Sequence, residues 1–226
     1  MSHYMNLIGK KAKEASLEKI STKKKNDVLK KYVSLLDSEK KSIIRANEKD
    51  IKHAIKKGFP KNLINRLTIN QKKLSHIKNS INNITKLKDP IDNTLKKWTR
   101  PTGLKISKVT IPIGVIGVIY ESRPNVTSDV ASLCFKSGNA VILKGGSEAI
   151  NSNKILAKLF RKALKINKVN KDFIQFVESK NRKMVDYMLS KMKDYIDVII
   201  PRGGKNLVKK VKDFSNVPTI GHLEGL

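Results

Sequence analysis

From residue 109 onward, strand-like and helical patterns alternate, and this alternation restricts the fold more than any other feature of the chain. Residues 109–120 form an almost wholly apolar run rich in β-branched side chains, which is typical of a parallel strand buried on both faces. An amphipathic helical pattern follows, and Ser137-Gly138 predicts its end. Residues 140–143 repeat the buried-strand pattern.

The same alternation continues to the end of the chain. The pattern predicts strands at 173–177, 196–200 and 217–220, with helices over 182–192 and from the 201–204 turn to 214. Strands that alternate with helices form right-handed βαβ units, so we expect an α/β fold with a Rossmann-like parallel sheet. Its carboxyl edge is where such sheets bind ligands.

The first part of the chain has a different pattern of apolar residues. Helical spacing dominates up to about residue 88, and residues 68–71 form a capping-box pattern before one of these helices. Residues 91–110 are extended, as in a hairpin or a crossing between domains. We therefore divide the chain into an N-terminal helical region with a crossing segment, 1–108, and a nucleotide-binding domain, 109–226.

The net charge of +29 invites a nucleic-acid interpretation. It is unevenly distributed, however, because 1–108 carry +19, 109–149 are neutral and 150–226 carry +10. Lysine supplies 41 of the 48 basic residues, mostly on the polar faces of helical patterns, and aromatic residues make up only 5%. We therefore expect no specific nucleic-acid partner, only non-specific attraction.

Several other classes of protein are disfavoured. No apolar run is long enough to span a membrane, and the opening residues lack the apolar stretch of a signal peptide. A single cysteine excludes a disulfide framework, and four scattered histidines lack metal-ligand spacing. These features predict a cytoplasmic protein without a metal site or a membrane association.

Three segments should meet at the carboxyl edge of the sheet: 121–125, 144–148 and 201–204. The GxGxxG fingerprint of dinucleotide-binding proteins is missing, because Gly114 and Gly117 fall inside the strand pattern. Any nucleotide must therefore be held differently.

Lys144 is the strongest candidate for a phosphate-binding residue in these segments. It directly follows a buried strand, and its ammonium could reach a phosphate across the sheet edge. Ser147 is a natural N-cap, and Glu148 suits a helix dipole or a ribose hydroxyl. Gly203-Gly204, beside Arg202, would leave backbone N–H groups open to an anion. The alternative interpretations are that Lys144 is merely solvated at a strand end and that Gly203-Gly204 form an ordinary turn.

Two further residues have competing interpretations. Asn125 could donate its amide to a developing oxyanion or cap the following helix, and neither role is favoured. Cys134 lies on the apolar face of its helix, so we interpret it as a core residue rather than a nucleophile. His222 has no visible partner in the sequence.

Three strings, IPIGVIGVIYESRPNVTSDVASLCFKSGNAVILKGGSEA, YIDVIIPRGG and VPTIGHLEG, resemble the gamma-glutamyl phosphate reductase (glutamate-5-semialdehyde dehydrogenase) family of the aldehyde dehydrogenase superfamily. The helical strings GKKAKEAS, IIRANEKDI and RLTINQKKL fit the same family. The resemblance implies NADPH-dependent reduction of L-glutamyl 5-phosphate in proline biosynthesis, through a cysteine thioester. Glutamate 5-kinase is a candidate partner. We also expect a homo-oligomer, because the 91–110 segment and the edge exposed by an absent second domain both suggest pairing.

The resemblance assigns residues by position. Lys144 matches the lysine that binds the adenosine ribose or its 2′-phosphate, with Gly146, Ser147 and Glu148 in the same site. Arg202, Gly203 and Gly204 match the turn at the pyrophosphate, and Asn125 matches the oxyanion asparagine.

The family's catalytic cysteine is expected in a second domain, beyond the strand that begins near Val217. Cys134 matches a position in the nucleotide-binding half, and Glu224 has no secure match to a general base. We therefore expect a cofactor-binding half that lacks the catalytic C-terminal domain. The alternative is a catalytically inactive nucleotide-binding or polyanion-binding module.

Overall fold

The computed structural model describes residues 2–221. Five helices come first along the chain: α1 (Ser2–Ser16), α2 (Thr22–Ser38), α3 (Lys40–Lys56), α4 (Lys61–Leu67) and α5 (Gln71–Lys86). The predicted hairpin follows, with β1 (Thr94–Thr99) antiparallel to β2 (Lys105–Val109).

The second part alternates as predicted. Its elements are β3 (Val115–Tyr120), α6 (Asn125–Lys136), β4 (Ala140–Lys144), α7 (Ile150–Ile166), β5 (Ile174–Phe176), α8 (Lys183–Lys191), β6 (Val198–Arg202) and α9 (Lys205–Phe214). The four strands form one parallel sheet in the order β5-β4-β3-β6. The predicted α/β, Rossmann-like class is confirmed.

Three local predictions are wrong. The 109–120 run is split, because Val109 ends the hairpin and β3 begins only at Val115. Gly114 therefore precedes the strand; its φ of +124° and the Asp197 carboxylate against its open side favour glycine there. At 217–220 there is only a single bridge, between Thr219 and Ile199, rather than a strand.

The third error concerns a helix start. The N-cap of α5 is Asn70, whose side chain accepts a hydrogen bond from the backbone N–H of Lys73, so the capping box does not begin at Thr68. The 201–204 segment does open a helix as predicted, since α9 begins at Lys205 with Gly204 as its N-cap, although the preceding strand extends to Arg202.

The N-terminal helices and the sheet share one hydrophobic core. Met5 of α1 and Tyr32 of α2 belong to the same buried cluster as Val141 of β4 and Phe160 of α7. The Tyr32 and Phe160 rings pack with their centroids 4.5 Å apart. The division at residue 108 remains a prediction, because this common core crosses it.

Polar contacts also join the N-terminal helices to the second part of the chain. Asp50 of α3 accepts hydrogen bonds from the backbone N–H of Asn151 and Ser152 at 3.2 and 2.8 Å, and from both of their side chains. A carboxylate from another helix therefore caps the N-terminus of α7, where unsatisfied N–H groups and the helix dipole favour negative charge. This helix start is thus already supplied with an anion.

Candidate functional site

The strand order places a topological switch point between β3 and β6, since the chain runs outward from β3 to β5 and then returns to the other side of β3. Tyr120 at the end of β3 pairs with Arg202 at the end of β6. The predicted segments 121–125 and 201–204 therefore meet at one point on the carboxyl edge, whereas 144–148 follows the neighbouring strand β4.

At this switch point a carboxylate already occupies the start of α9. The backbone N–H of Gly204 donates to Oε2 of Glu121 at 2.9 Å. A side chain at position 203 would force this carboxylate to shift, because a Cβ on Gly203 would lie 2.5 Å from the same oxygen. The predicted anion-binding turn thus holds an anionic group, supplied by the chain itself.

Three of the seven arginines surround this turn. A cavity of about 300 Å³ lies between the ends of β3 and β6, and its lining includes Arg66 of α4, Arg123 and Arg202. All three are exposed, and none is ion-paired within residues 2–221. Planar guanidinium groups bind phosphates bidentately, so this cleft has the chemistry of a phosphate site.

Lys144 lies at the end of β4 as expected, but its side chain does not reach out over the sheet edge. The residue is 4% exposed, and its Nζ donates to the carbonyl oxygen of Gly145 at 2.8 Å. Burial lowers the pKa of this lysine, and the nearby Glu148 partly offsets the effect. The prediction that the Lys144 ammonium reaches over the sheet edge is therefore wrong.

The prediction for Ser147 also needs correction. Ser147 begins a short 3₁₀ turn whose N-cap is Gly146, and its side chain makes no capping bond. Glu148 instead turns towards the loop after β3, where its Oε1 accepts from the backbone N–H and the hydroxyl of Ser122 at 2.8 and 2.9 Å. A Cβ on Gly146 would lie 2.1 Å from this carboxylate, so glycine permits the approach.

Asn125 is the first residue of α6 and does not cap it, because the N-cap position belongs to Pro124. Its Nδ2 donates to Oδ2 of Asp129 at 2.9 Å, one helical turn further on. An amide nitrogen carries two hydrogens, and this bond uses one of them. The capping alternative is therefore wrong, while the oxyanion role remains a prediction.

A second cavity, of about 560 Å³, lies beside Asn125. It is bounded by α4, α5 and the start of α6, and it shares Arg66 and Arg123 with the arginine-lined cleft. Lys73 and Asp129 also line it. The two cavities therefore adjoin along a common arginine wall.

Cys134 is a core residue, as predicted. It is 7% exposed within the main hydrophobic cluster, and burial raises the pKa of its thiol to about 12. A neutral, buried thiol is a poor nucleophile.

His222 and Glu224 lie outside the described residues. Within 2–221 no cluster of three potential metal ligands occurs, and no helix has the length and apolarity to cross a bilayer.

Comparison with known protein families identifies this arrangement. The model of the aldehyde dehydrogenase family matches residues 6–216, which is most of the chain. The chain belongs to the aldehyde dehydrogenase family. The chain is 43% identical over 225 residues to the gamma-glutamyl phosphate reductase of Sulfurihydrogenibium sp., covering 99% of this chain and 50% of that relative.

Solved structures give the same result. The gamma-glutamyl phosphate reductase of Thermotoga maritima superposes with a TM-score of 0.92 at 38% identity, covering 95% of this chain and 52% of that protein. The enzyme of Saccharomyces cerevisiae gives 0.88 at 32%, covering 98% and 56%. This aldehyde dehydrogenase-family chain thus spans about half the length of the relatives it matches.

The family uses nicotinamide cofactors, and the edge of the sheet fits such a group in two respects. The amide of Gly204 already binds an anionic oxygen, and a Cβ there would have no other neighbour than Glu121 within 4 Å. The arginine-lined cleft supplies positive charge beside it. One feature competes with a phosphate: the Glu121 carboxylate must leave before a phosphate can take its place.

The sequence did not reveal every member of this site. Arg66 lies on a short helix far from the sheet in sequence, and only packing brings it to the switch point. Glu121 and Arg123 belong to the 121–125 segment that the strand pattern had placed at the edge. A charged residue directly after a buried strand was the available signal for Glu121, as it was for Lys144.

Proposed function

We propose that this chain binds NADPH for the reduction of L-glutamyl 5-phosphate to L-glutamate 5-semialdehyde in proline biosynthesis. The observation that supports the proposal most directly is the arginine-lined cleft at the switch point, with the Gly204 amide facing an anionic oxygen. In an open parallel sheet this is the place where dinucleotides bind. The similarity to gamma-glutamyl phosphate reductases supplies the substrate.

Two sets of residues bind two different parts of the cofactor. Gly203, Gly204 and Arg202 hold the pyrophosphate once Glu121 has moved away. Lys144 and Glu148, with Gly146 and Ser147 between them, receive the adenosine ribose. Once its side chain has turned away from the Gly145 carbonyl, Lys144 gains in the 2′-phosphate of NADPH the anionic partner that it lacks among the described residues, which favours NADPH over NADH.

When bound, NADPH supplies the hydride that converts the acyl phosphate into an aldehyde and inorganic phosphate. Asn125 contributes to this step through the amide hydrogen that Asp129 does not hold. Directed at the acyl oxygen, it stabilises the negative charge that develops there. Arg66 and Arg123, at the wall between the two cavities, neutralise the departing phosphate.

A fluorescence titration of the 226-residue chain with NADPH and NADH tests the cofactor assignment. We expect tighter binding of NADPH, and a loss of about tenfold in affinity for Arg202→Gln, since a charge-assisted hydrogen bond contributes roughly 1.5–3 kcal/mol. Arg100→Gln, which removes an exposed arginine of the hairpin turn, is the matched control.

A salt series separates this site from general attraction to polyanions. Binding by scattered lysines falls steeply with salt and does not distinguish NADPH from ATP, whereas a shaped site keeps its preference. Equal affinities for NADPH, NADH and ATP at every salt concentration would refute the cofactor assignment and favour a polyanion-binding module.

We extend the proposal to the cellular setting: a cytoplasmic homo-oligomer that receives its labile substrate from glutamate 5-kinase. Exposed apolar side chains on and next to the β1–β2 hairpin support self-association, among them Leu95, Trp98 and Ile111. Light scattering during gel filtration tests it. A monomer at all concentrations would contradict the oligomer, and Trp98→Glu should shift the equilibrium towards monomer.

A further inference from the structure

The 560 Å³ cavity beside Asn125 carries an unusual combination of charges. Four of its lining residues are Arg66, Lys73, His76 and Arg123, and Asp129 is its one carboxylate. None of Arg66, Lys73 and Arg123 makes an ion pair within residues 2–221. Such a lining suits a ligand with more than one anionic group and a single cationic group.

The cations are close enough to affect one another. Burial and the positive charge of Arg123 both lower the pKa of Lys73, in that order of size. Lys73 directs its Nζ to the backbone carbonyl oxygen of Asn65 rather than to a carboxylate. Like charges held together without a counter-ion bind an anion favourably, because the ligand removes their mutual repulsion.

The carboxylate of Asp129 is only half satisfied. Its Oδ2 accepts from Asn125, but its Oδ1 is buried and has no hydrogen-bond donor among the described residues. A buried carboxylate oxygen without a hydrogen-bond donor is unfavourable, because it has lost its contacts with water and gained none in the protein. A cationic group of a ligand, admitted by a rotation of the carboxylate, would remove that cost.

We propose that this cavity is the subsite for a free α-amino acid headgroup, with Asp129 accepting the α-ammonium and the arginines and Lys73 binding the anionic groups. The inference rests on the proposed function, because it places the headgroup of an acyl phosphate substrate next to the Asn125 amide. It makes Asp129 a determinant of specificity, since it distinguishes an amino acid from the dicarboxylate of the same length.

The experiment compares two probes, L-glutamate and glutarate, which differ only in the α-amino group. Binding to the ¹⁵N-labelled chain is followed by NMR titration at fixed ionic strength, so that attraction to surface lysines is the same for both. The measured quantity is the ratio of the two dissociation constants, in wild type and in Asp129→Asn. Asp213→Asn, which removes an exposed carboxylate of α9, is the matched control.

We expect wild type and the control to prefer L-glutamate, and Asp129→Asn to reduce that preference at least about tenfold, as for loss of one charge-assisted hydrogen bond. Arg123→Gln should weaken the binding of both probes by a similar factor, because Arg123 binds the anionic groups that the two probes share. Far-UV circular dichroism and melting temperature verify that each variant is folded.

Three outcomes would overturn the inference: no binding of L-glutamate by the folded wild type, no preference over glutarate, or a preference that Asp129→Asn leaves unchanged. NADPH titrated into the same samples separates this failure from that of the proposed function. A chain that binds NADPH but not L-glutamate retains the cofactor assignment and loses the amino-acid subsite. A chain that binds L-glutamate selectively but not NADPH retains the amino-acid subsite and loses the cofactor assignment.

Discussion

The carboxylate of Glu121 accepts a hydrogen bond from the backbone N–H of Gly204 at 2.9 Å, and so ties the end of β3 to the start of α9. The contact shows that the backbone N–H at this helix start is directed at an anionic oxygen. It also makes Glu121 a competitor for the phosphate that we place there, because both need the same donor.

Removing the charge of Glu121 should therefore strengthen cofactor binding. We expect Glu121→Gln to lower the dissociation constant for NADPH about three- to tenfold, since the amide is a weaker acceptor than the carboxylate. Fluorescence titration measures the change, and Glu18→Gln, an exposed carboxylate on the loop after α1, controls for the altered net charge. An unchanged or larger dissociation constant would show that Glu121 and the phosphate do not compete.

Lys144 should reveal a conflict between stability and binding. Its ammonium is buried against one carbonyl oxygen, and no carboxylate forms a salt bridge with it among the described residues. Replacing such a charge by an apolar side chain of similar length often stabilises a protein, by about 1 kcal/mol or more. Lys144→Met should thus raise the melting temperature, while its affinity for NADPH falls at least about tenfold.

Lys193→Met, at an exposed position after α8, is the control for Lys144→Met and should leave both quantities nearly unchanged. Calorimetry and NADPH titration on the same preparations give the comparison. If Lys144→Met lowered the melting temperature and bound NADPH as wild type does, Lys144 would be a structural residue rather than a ligand of the cofactor.

Gly114 should be much less tolerant of a side chain than other glycines with positive φ. A Cβ at this position would lie 2.2 Å from Oδ2 of Asp197, which accepts the backbone N–H of Val115 at 2.7 Å and pairs with Lys13. We expect Gly114→Ala to cost about 3 kcal/mol or more, because backbone strain and the displaced carboxylate both contribute.

Gly58→Ala is the matched comparison, since Gly58 has a φ of +68° and no neighbouring atom within 4 Å of the position that an alanine Cβ would take. It should cost only about 1 kcal/mol, the usual penalty for a left-handed non-glycine residue. Urea denaturation of both variants measures the difference. Similar losses of stability would mean that the contact with Asp197 relaxes at no cost.

Cys134 should be unreactive in the folded chain. With burial raising its pKa from 9.0 to about 12, almost no thiolate exists at pH 8, so alkylation should require unfolding. The neutral thiol contributes stability that is fully present below pH 9 and is lost as the pH rises towards 12, because the unfolded chain releases its proton first.

Iodoacetamide labelling with and without urea measures the reactivity of Cys134, and Cys134→Ala is the reference for the pH dependence. Wild type should lose stability relative to Cys134→Ala between pH 9 and 12. Rapid labelling of the native chain at pH 8 would contradict the buried, neutral thiol.

The sequence by itself determined the succession of elements and the edge at which ligands meet. Strand and helix periods are local properties, so β3, α6, β4 and α7 could be predicted from the spacing of apolar residues. The same patterns placed 121–125 and 201–204 together, because parallel strands end at one edge of a sheet. Cys134 could be assigned to the core from its helical phase alone.

Only the tertiary structure decided which charged groups contact one another. Lys144 turns back to Gly145, Glu148 accepts hydrogen bonds from Ser122, and Glu121 accepts one from the backbone N–H of Gly204. These choices depend on long side chains with several rotamers and on partners that are distant in sequence, and no periodic pattern encodes them. Arg66 reaches the switch point for the same reason: the packing of the N-terminal helices against the sheet puts it there.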